Sequence, residues 1–314
     1  MSNSNDLYIV FGSGPVGHAV TRELVARGRK VRLVNRRGRP DAPEGVELIQ
    51  GDASDSAFTR EACKGAAVVY NCLNAPYTQW PELFPPLQAG VLEGAAASGA
   101  KLVVMENVYM YGSTRGKPIT EDLPYAATTR KGRVRAQMAQ GLLAAHRSGK
   151  VRVVIGRASD FFGPGALQSS SGERMFLPPL TGKAAQIVGK PDLLHTYTYV
   201  PDIGKGLVIL GEHDEAFGQV WHLPSAQTVT TREFINMIFA ETGYSPRIQS
   251  VSNLVLKGLA LFNPIIREVA EMLYEFDEPF VVDHSRFAQT FGNHATPLRE
   301  AIHTTVEWYR KQNG

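Results

Sequence analysis

Six residues near the start of the chain have the types and spacing to seat a phosphate. Gly12-Ser13-Gly14-Pro15-Val16-Gly17 is a GxGxxG run that directly follows the apolar stretch Leu7-Tyr8-Ile9-Val10-Phe11. Val16, Ala19, Val20, Leu24 and Val25 then recur at helical spacing as far as Gly28, and Val31-Arg32-Leu33-Val34-Asn35 reads as a second strand. Glycines at such a turn let the backbone approach a pyrophosphate, while the free N–H groups and dipole of the helix N-terminus favour the anion. Gly12, Gly14, Pro15, Val16 and Gly17 are therefore the expected dinucleotide contacts. A bare GxGxxG carries little weight; one that joins strand to helix inside a βαβ unit carries much. The end of the second strand selects the dinucleotide. An NAD site places a carboxylate there for the ribose 2′-OH. Here the run is Asn35-Arg36-Arg37, with no carboxylate to repel a 2′-phosphate and two guanidiniums to pair with it. The expected cofactor is NADP(H). The competing account of the run is a solvated basic turn, since Lys30, Arg32 and Arg39 are close in sequence. The basic cluster is local and no nucleic-acid module accompanies it, so no nucleic-acid partner is expected.

Elements with a βα rhythm must position these residues. Strands are expected over 46–50, 67–73, 101–106 and 151–158, separated by helices over 54–63, from about Pro86, and over 129–147. This alternation predicts an α/β fold: a Rossmann-type doubly wound parallel sheet. Pro81, Pro85 and Pro86 form the run-in to the third helix, which is expected to start near Pro86, a residue well suited to a first turn. Ligands of open α/β sheets bind outside the carboxyl ends of the strands, so Asn107 to Gly112, just past Met105, are prime site candidates. Tyr77, Trp80 and Phe84 read either as a wall for an apolar or aromatic substrate or as core. Beyond Asp160 the rhythm breaks into scattered strands (197–201, 219–223) and helices (231–242, 253–262, 297–311). The division expected is an NADP-binding domain over 1–160 and a smaller, irregular substrate lobe over 161–314, with part of 195–225 returning to the main sheet.

The 314 residues can bury a large core. With 33 basic and 30 acidic residues the charge is nearly balanced, so no global field recruits DNA or an anionic membrane. Two cysteines, Cys63 and Cys72, make neither a disulfide framework nor a metal site, and the eight histidines lack ligand spacing. No secretory signal is read at the N-terminus, and the longest apolar run, Leu254 to Phe262, is short and broken by Lys257. A cytoplasmic protein without a membrane partner or metal is expected.

Several motifs together resemble one family, the extended short-chain dehydrogenase/reductases, or NAD(P)-dependent epimerase/dehydratase group. Besides the glycine turn, Gly51-Asp52 resembles its Gly-Asp after the third strand, which implies that Asp52 meets the adenine. Tyr109-Met110-Tyr111-Gly112 is similar to its VYG segment, Arg157 to Gly165 to its RP-x-N-x-YGPG run, and Tyr199-Val200-Pro201-Asp202, preceded by Tyr197, to its YV-x-D. The stretch Thr296 to Tyr309 resembles its last helix.

The departures bear on chemistry. Such enzymes carry a Ser/Thr after the fifth strand and Tyr-x-x-x-Lys on the next helix, but the matching positions here are Asn107, Lys131 and Arg135. The glycine spacing is GxGxxG where GxxGxxG is usual. The resemblance implies that Arg135 holds the nicotinamide ribose; a guanidinium cannot act as acid or base. Lys131 could act as one if cationic neighbours or burial depress its pKa. Asn107 can donate to a substrate carbonyl, and Tyr109 is a second candidate proton donor. Asp160 stands at the substrate-contacting asparagine and is expected to pair with Lys131 or Arg135. Asp160, Tyr77, Trp80 and Tyr197 are the expected substrate contacts. The first functional expectation is an NADP(H)-dependent oxidoreductase acting on a small carbonyl, alcohol or activated alkene. Two alternatives stand beside it: a nucleotide-sugar epimerase or dehydratase with bound NAD, and a non-enzymatic NADP(H)-binding redox sensor. Helices 86–99 and 129–147 are those through which the family often dimerises, and Ala136, Ala139, Ala144 and Ala145 would permit the close approach of a homodimer.

Overall fold

A computed structural model describes residues 6–38, 42–251, 256, 258, 262 and 264–313. Its centre is a seven-stranded parallel sheet. The strands are β1 (Leu7–Phe11), β2 (Lys30–Asn35), β3 (Glu47–Gln50), β4 (Ala66–Asn71), β5 (Lys101–Glu106), β6 (Val153–Arg157) and a late arrival, β11 (Val220–His222), in the order β11-β6-β5-β4-β1-β2-β3. The order reverses between β1 and β4, which opens a crevice beyond their carboxyl ends. β1 shows why the sheet lies inside. All five of its residues are buried: Leu7, Ile9 and Phe11 face one layer of helices, and Tyr8 and Val10 the other.

The Leu7 face is covered by α2 (Ser56–Ala62), α3 (Trp80–Ser98) and α4 (Arg130–Arg147), through Ala62, Val91, Ala95, Ala139 and Leu142. The Tyr8 face is covered by α1 (Pro15–Ala26) and by a helix the apolar periodicity did not single out, α6 (Val200–Glu212). α6 lies against α1 so tightly that a Cβ on Gly204 would sit 2.6 Å from the Ala19 backbone. Pro201 in its first turn ends the strand expected over 197–201 two residues early, leaving β10 as Tyr197–Tyr199.

α3 differs from expectation at its start. It begins at Trp80, ahead of Pro85 and Pro86, which lie inside the helix. Pro81 occupies the first turn, where a missing N–H costs nothing, whereas Pro85 and Pro86 each forgo an intrahelical bond. Burial of Trp80 and Phe84, and the Trp80 indole donating to Ala75 O at 3.1 Å, offset that loss.

The chain after β6 builds a second core from Phe162, Phe176, Tyr197, Tyr199, Phe234, Ile238, Ile302 and Tyr309. Its elements are β7 (Asp160–Phe162), α5 (Glu173–Phe176), β8 (Ala185–Val188), β9 (Leu194–His195), β10, β12 (Val229–Thr230), α7 (Thr231–Ala240), β13 (Ile248–Val251), α8 (Pro264–Ala270), α9 (Tyr274–Asp277), α10 (Ser285–Phe291) and α11 (Leu298–Asn313). The helix expected over 253–262 lies mostly outside the described residues. No helix among the described residues is long and apolar enough to cross a membrane. The alanines of α4 do not form one outward face: Ala139 is fully buried and Ala136 packs against the Val108–Met110–Tyr111 cluster, while Ala144 is exposed.

Candidate active site

The crevice end is built by the glycines. Gly12 has φ +101°, and a Cβ there would lie 2.7 Å from Cys72 O at the end of β4; only glycine turns this corner. A Cβ on Gly17 would lie 1.8 Å from Gly12 O, so Gly17 is what lets α1 press onto the turn. At Gly14 a Cβ would meet nothing within 4 Å. The middle glycine thus borders open space at the start of α1, a helix whose N-terminus has no side-chain cap. Pro15 has no N–H and His18 N bonds Gly14 O at 2.9 Å, which leaves the Val16 and Gly17 amides at the mouth. Backbone donors, helix dipole and space fit a pyrophosphate. Asn35 closes the far side: its Nδ2 donates to Ser13 Oγ at 2.7 Å and its Oδ1 accepts from Gly38 N at 2.5 Å. Arg36 and Arg37 are exposed beyond it. The Asp52 carboxyl is held below its ordinary range by the Ser54 amide and hydroxyl, with Arg36 nearby.

The other expected site residues gather past β5 and β6, with one exception. Asn107 Oδ1 accepts from Tyr109 N at 3.2 Å, so the amide caps the turn after β5. The Tyr109 ring stacks on Trp80 at 5.7 Å, and Trp80 meets Tyr77 and Phe84 edge-on at 5.2 and 5.1 Å. Burial raises the Tyr109 and Tyr77 phenols well above their ordinary range. The Arg135 guanidinium lies over the Phe84 and Trp80 rings at 4.1 and 4.8 Å, only 7 % of the residue is exposed, and its Nε has no hydrogen-bond partner among the described residues.

Two expectations are corrected. Lys131 is not a free amine in a cationic patch. Its fully buried ammonium donates to Glu268 and, at 3.0 Å, to Glu271, and lies 4.4 Å from the Tyr77 ring centre. Helix α8 and the residue just after it bring both carboxylates, so the grouping of Arg130, Arg133 and Arg135 in sequence does not describe its surroundings. Asp160 pairs with neither Lys131 nor Arg135; its Oδ2 meets His195 Nε2 at 3.1 Å. The exception is Tyr197, whose hydroxyl bonds Thr231 Oγ1 at 2.8 Å and whose ring stacks on Phe234 in the lobe core while its other neighbour is the His195 ring, 4.6 Å away.

The sequence reading missed the acidic side of this site. Glu268, Glu271 and Glu275 follow one another at spacings of three and four, which puts three carboxyls on one side of a helical run. Glu275 is 1 % exposed, and burial, with Asp160 close by, raises its carboxyl well above the ordinary range. It also missed a buried network behind β5. The Arg157 guanidinium donates to Glu106 Oε2 (3.1 Å), Tyr111 Oη (2.6 Å) and Tyr125 Oη (2.6 Å), and Tyr111 Oη meets His222 Nε2 at 2.9 Å. An Arg at the end of one strand and a Glu at the end of its neighbour were the available signal. No group of three metal-ligating side chains occurs among the described residues.

Comparison with known proteins bears on the fold. The solved structure of MoeE5 in complex with UDP-glucose and NAD has a TM-score of 0.79 at 22 % identity, with 99 % of this chain and all of that one covered. The UDP-glucuronic acid 4-epimerase of Bacillus cereus, in complex with NAD, gives 0.77 at 16 % over 98 % and 100 %. The dTDP-glucose 4,6-dehydratase of Bacillus anthracis, also with NAD, gives 0.79 at 16 % over 98 % and 97 %. In sequence, the uncharacterized protein y4nL of Sinorhizobium fredii is 22 % identical over 91 % of this chain and 84 % of its own. At these identities the solved structures speak to the fold, a Rossmann-type doubly wound sheet. The model of the NAD-dependent epimerase/dehydratase family matches residues 8–223, from β1 through β11, and the chain belongs to that family.

Proposed function

We propose that this chain is a nicotinamide-dinucleotide-dependent enzyme that moves hydride to or from a hydroxyl-bearing carbon, with a nucleotide sugar as the substrate class. The observation that carries the reading is the open floor at Gly14 before the uncapped start of α1, in a chain of the epimerase/dehydratase family. The relatives of similar fold that hold NAD, one of them with UDP-glucose, support a sugar nucleotide over a small free carbonyl. A bound dinucleotide supplies reversible hydride exchange. In this reading the Val16 and Gly17 amides receive the pyrophosphate, Asp52 meets the adenine, and the partnerless Arg135 Nε donates to the nicotinamide ribose. The Asn107 amide nitrogen donates to the reacting oxygen, and Tyr77 and Trp80 wall the substrate.

A second reading rests on the chain's own β2 end. Asn35-Arg36-Arg37 carries no carboxylate and two exposed guanidiniums, which favours NADP(H) and with it a reductase of small carbonyls or activated alkenes. The Asn107, Lys131 and Arg135 substitutions point the same way, since the sugar-nucleotide enzymes rely on the Ser-Tyr-Lys trio by resemblance. Calorimetric titration with NAD⁺, NADH, NADP⁺ and NADPH, followed by turnover on UDP-glucose, dTDP-glucose, UDP-glucuronate and a panel of aldehydes, ketones and enones, separates the two. Binding of NAD(H) with conversion of a sugar nucleotide supports the first. NADPH selectivity with carbonyl reduction supports the second. Dinucleotide binding without any turnover favours the sensor role, and binding of none of the four refutes all three.

A further inference from the structure

The family's proton-relay tyrosine is absent, and the lysine in its place has its donors taken by Glu268 and Glu271. Some other group must hold the proton. The segment that supplies those glutamates runs on across the site. Three residues past Met272, Glu275 is enclosed, and its Oε1 has no hydrogen-bond partner among the described residues. The next residue, Phe276, lies parallel to the His195 ring at 5.9 Å, and that ring is the partner of Asp160. Glu275 therefore lies on the segment that runs from the Lys131 clamp to the ring against His195, whose partner Asp160 is an expected substrate contact. The groups that interact with it are Asp160 of β7, Tyr77 ahead of α3 and Tyr109 after β5 from neighbouring elements, and Tyr274 on its own segment. None of these is a cation. With a carboxylate and three phenols around it, and no water-exposed face, this carboxyl is kept as the neutral acid, and an acid with an unengaged oxygen is a donor in waiting.

We propose that Glu275 is the proton donor of the reaction, standing in for the missing tyrosine; this rests on the hydride-transfer reading above. As hydride adds to the carbonyl carbon, the C=O π pair moves to oxygen. The Glu275 O–H breaks, a new O–H forms on the substrate, and a carboxylate remains that is reprotonated when product leaves and water enters the site. In the oxidative direction the carboxylate accepts the hydroxyl proton as hydride leaves the carbon. The dinucleotide is the only redox partner required.

The test compares wild type with Glu275→Gln, which keeps the volume and loses the acid, and Glu275→Asp, which keeps the acid on a shorter arm. Folding of each is checked by thermal melting. Infrared spectroscopy at pH 7 is expected to show a protonated-carboxyl band in wild type that Glu275→Gln lacks, with or without NADPH. Dinucleotide affinity should be the same in all three proteins. Turnover should fall about 10²–10⁴-fold in Glu275→Gln and be partly restored in Glu275→Asp, with the alkaline limb of the pH profile displaced. Absence of the band from wild type overturns the proposal, as does wild-type turnover in Glu275→Gln. Failure of wild type to bind any of the four dinucleotides is a different result: it refutes the crevice reading, and the proton-donor role falls with it even if the band is present.

Discussion

Gly14 and Gly17 are three residues apart, yet the structure gives them opposite duties, and substituting each by alanine separates folding from binding. At Gly17 the added methyl would lie 1.8 Å from Gly12 O, and the obstacle is backbone, not a side chain that can swing aside. α1 would have to withdraw by roughly 1.5 Å to regain van der Waals contact, which costs about 1–3 kcal/mol in a packed core. At Gly14 the backbone has φ −77° and ψ −176°, an extended geometry any residue adopts, and the methyl would meet nothing within 4 Å. Folding should therefore be unchanged, or improve by about 0.4–1 kcal/mol because the unfolded chain loses freedom. Binding should behave in the reverse sense. The methyl of Gly14→Ala would occupy the approach of the pyrophosphate, and each charge-assisted hydrogen bond lost is worth about 1.5–3 kcal/mol, so Kd should rise by one to two decades or more. Urea titration followed by circular dichroism gives the stabilities, and calorimetry with NADPH and NADH gives the affinities. A Gly14→Ala protein that binds like wild type would refute this account of the turn. So would one destabilised as much as Gly17→Ala.

Other outcomes follow from the same geometry. The Arg36→Ala/Arg37→Ala double variant should weaken NADPH more than NADH in calorimetric titration; equal weakening would mean the two guanidiniums do not meet a 2′-phosphate. Lys131→Met should cost about 3 kcal/mol in urea titration, since it leaves Glu268 and Glu271 as partly buried carboxylates without their ammonium. Partial burial opposes ionisation of the Glu268 carboxyl, but Lys131 and Arg130 hold it below its ordinary range. Its contribution is complete above the unfolded carboxylate pKa and is lost as pH falls through the folded value. The acid sensitivity of stability should thus shrink in Lys131→Met, and an unaltered profile would contradict the ion pair. Burial holds the His222 imidazole down to about 4. The unfolded chain takes up that proton near pH 6.5 and the folded one does not, so stability should decline by roughly 3 kcal/mol as pH falls from 6.5 towards 4. His222→Gln should flatten that interval, and a persistent decline would assign it to another group.

What the sequence made legible is what is local. Apolar runs bounded by turn formers found β1 to β6 within two residues. For β1 and β6, buried along their whole length, the reason is that a strand buried on both faces has no choice of side chain, whereas the exposed edge strand β3 was found from its short run alone. The glycine run located the crevice because each glycine answers a steric demand set within six residues. The substrate end is different in kind. Lys131 meets Glu268 and Glu271 across more than 130 positions, and Asp160 meets His195 across 35. Nothing in the spacing of Arg130, Arg133 and Arg135 announces a carboxylate from another element. The surroundings of Tyr197 were hidden for a related reason: its place beside a familiar motif gave its position in the chain and said nothing of the Thr231 and Phe234 partners it meets. α6 escaped because it is buried nearly all round, so its apolar residues show no polar side from which a period could be read.

The late return of the chain to the first sheet also sets the order in which the protein can be made. β6 gains its outer neighbour β11, and α1 its companion α6, only after residues 200–222 have been synthesised, with the first part of the second core (β7 to β10) made before them. A ribosome that has delivered the first 160 residues has delivered every glycine of the crevice but half the covering of the Tyr8 face, where Ile203, Leu207, Leu210 and Trp221 are still missing. At the usual pace of synthesis that surface stays open for roughly ten seconds. The nascent sheet needs shelter in that interval, and the crevice becomes a finished structure only when the chain has come most of the way to its end.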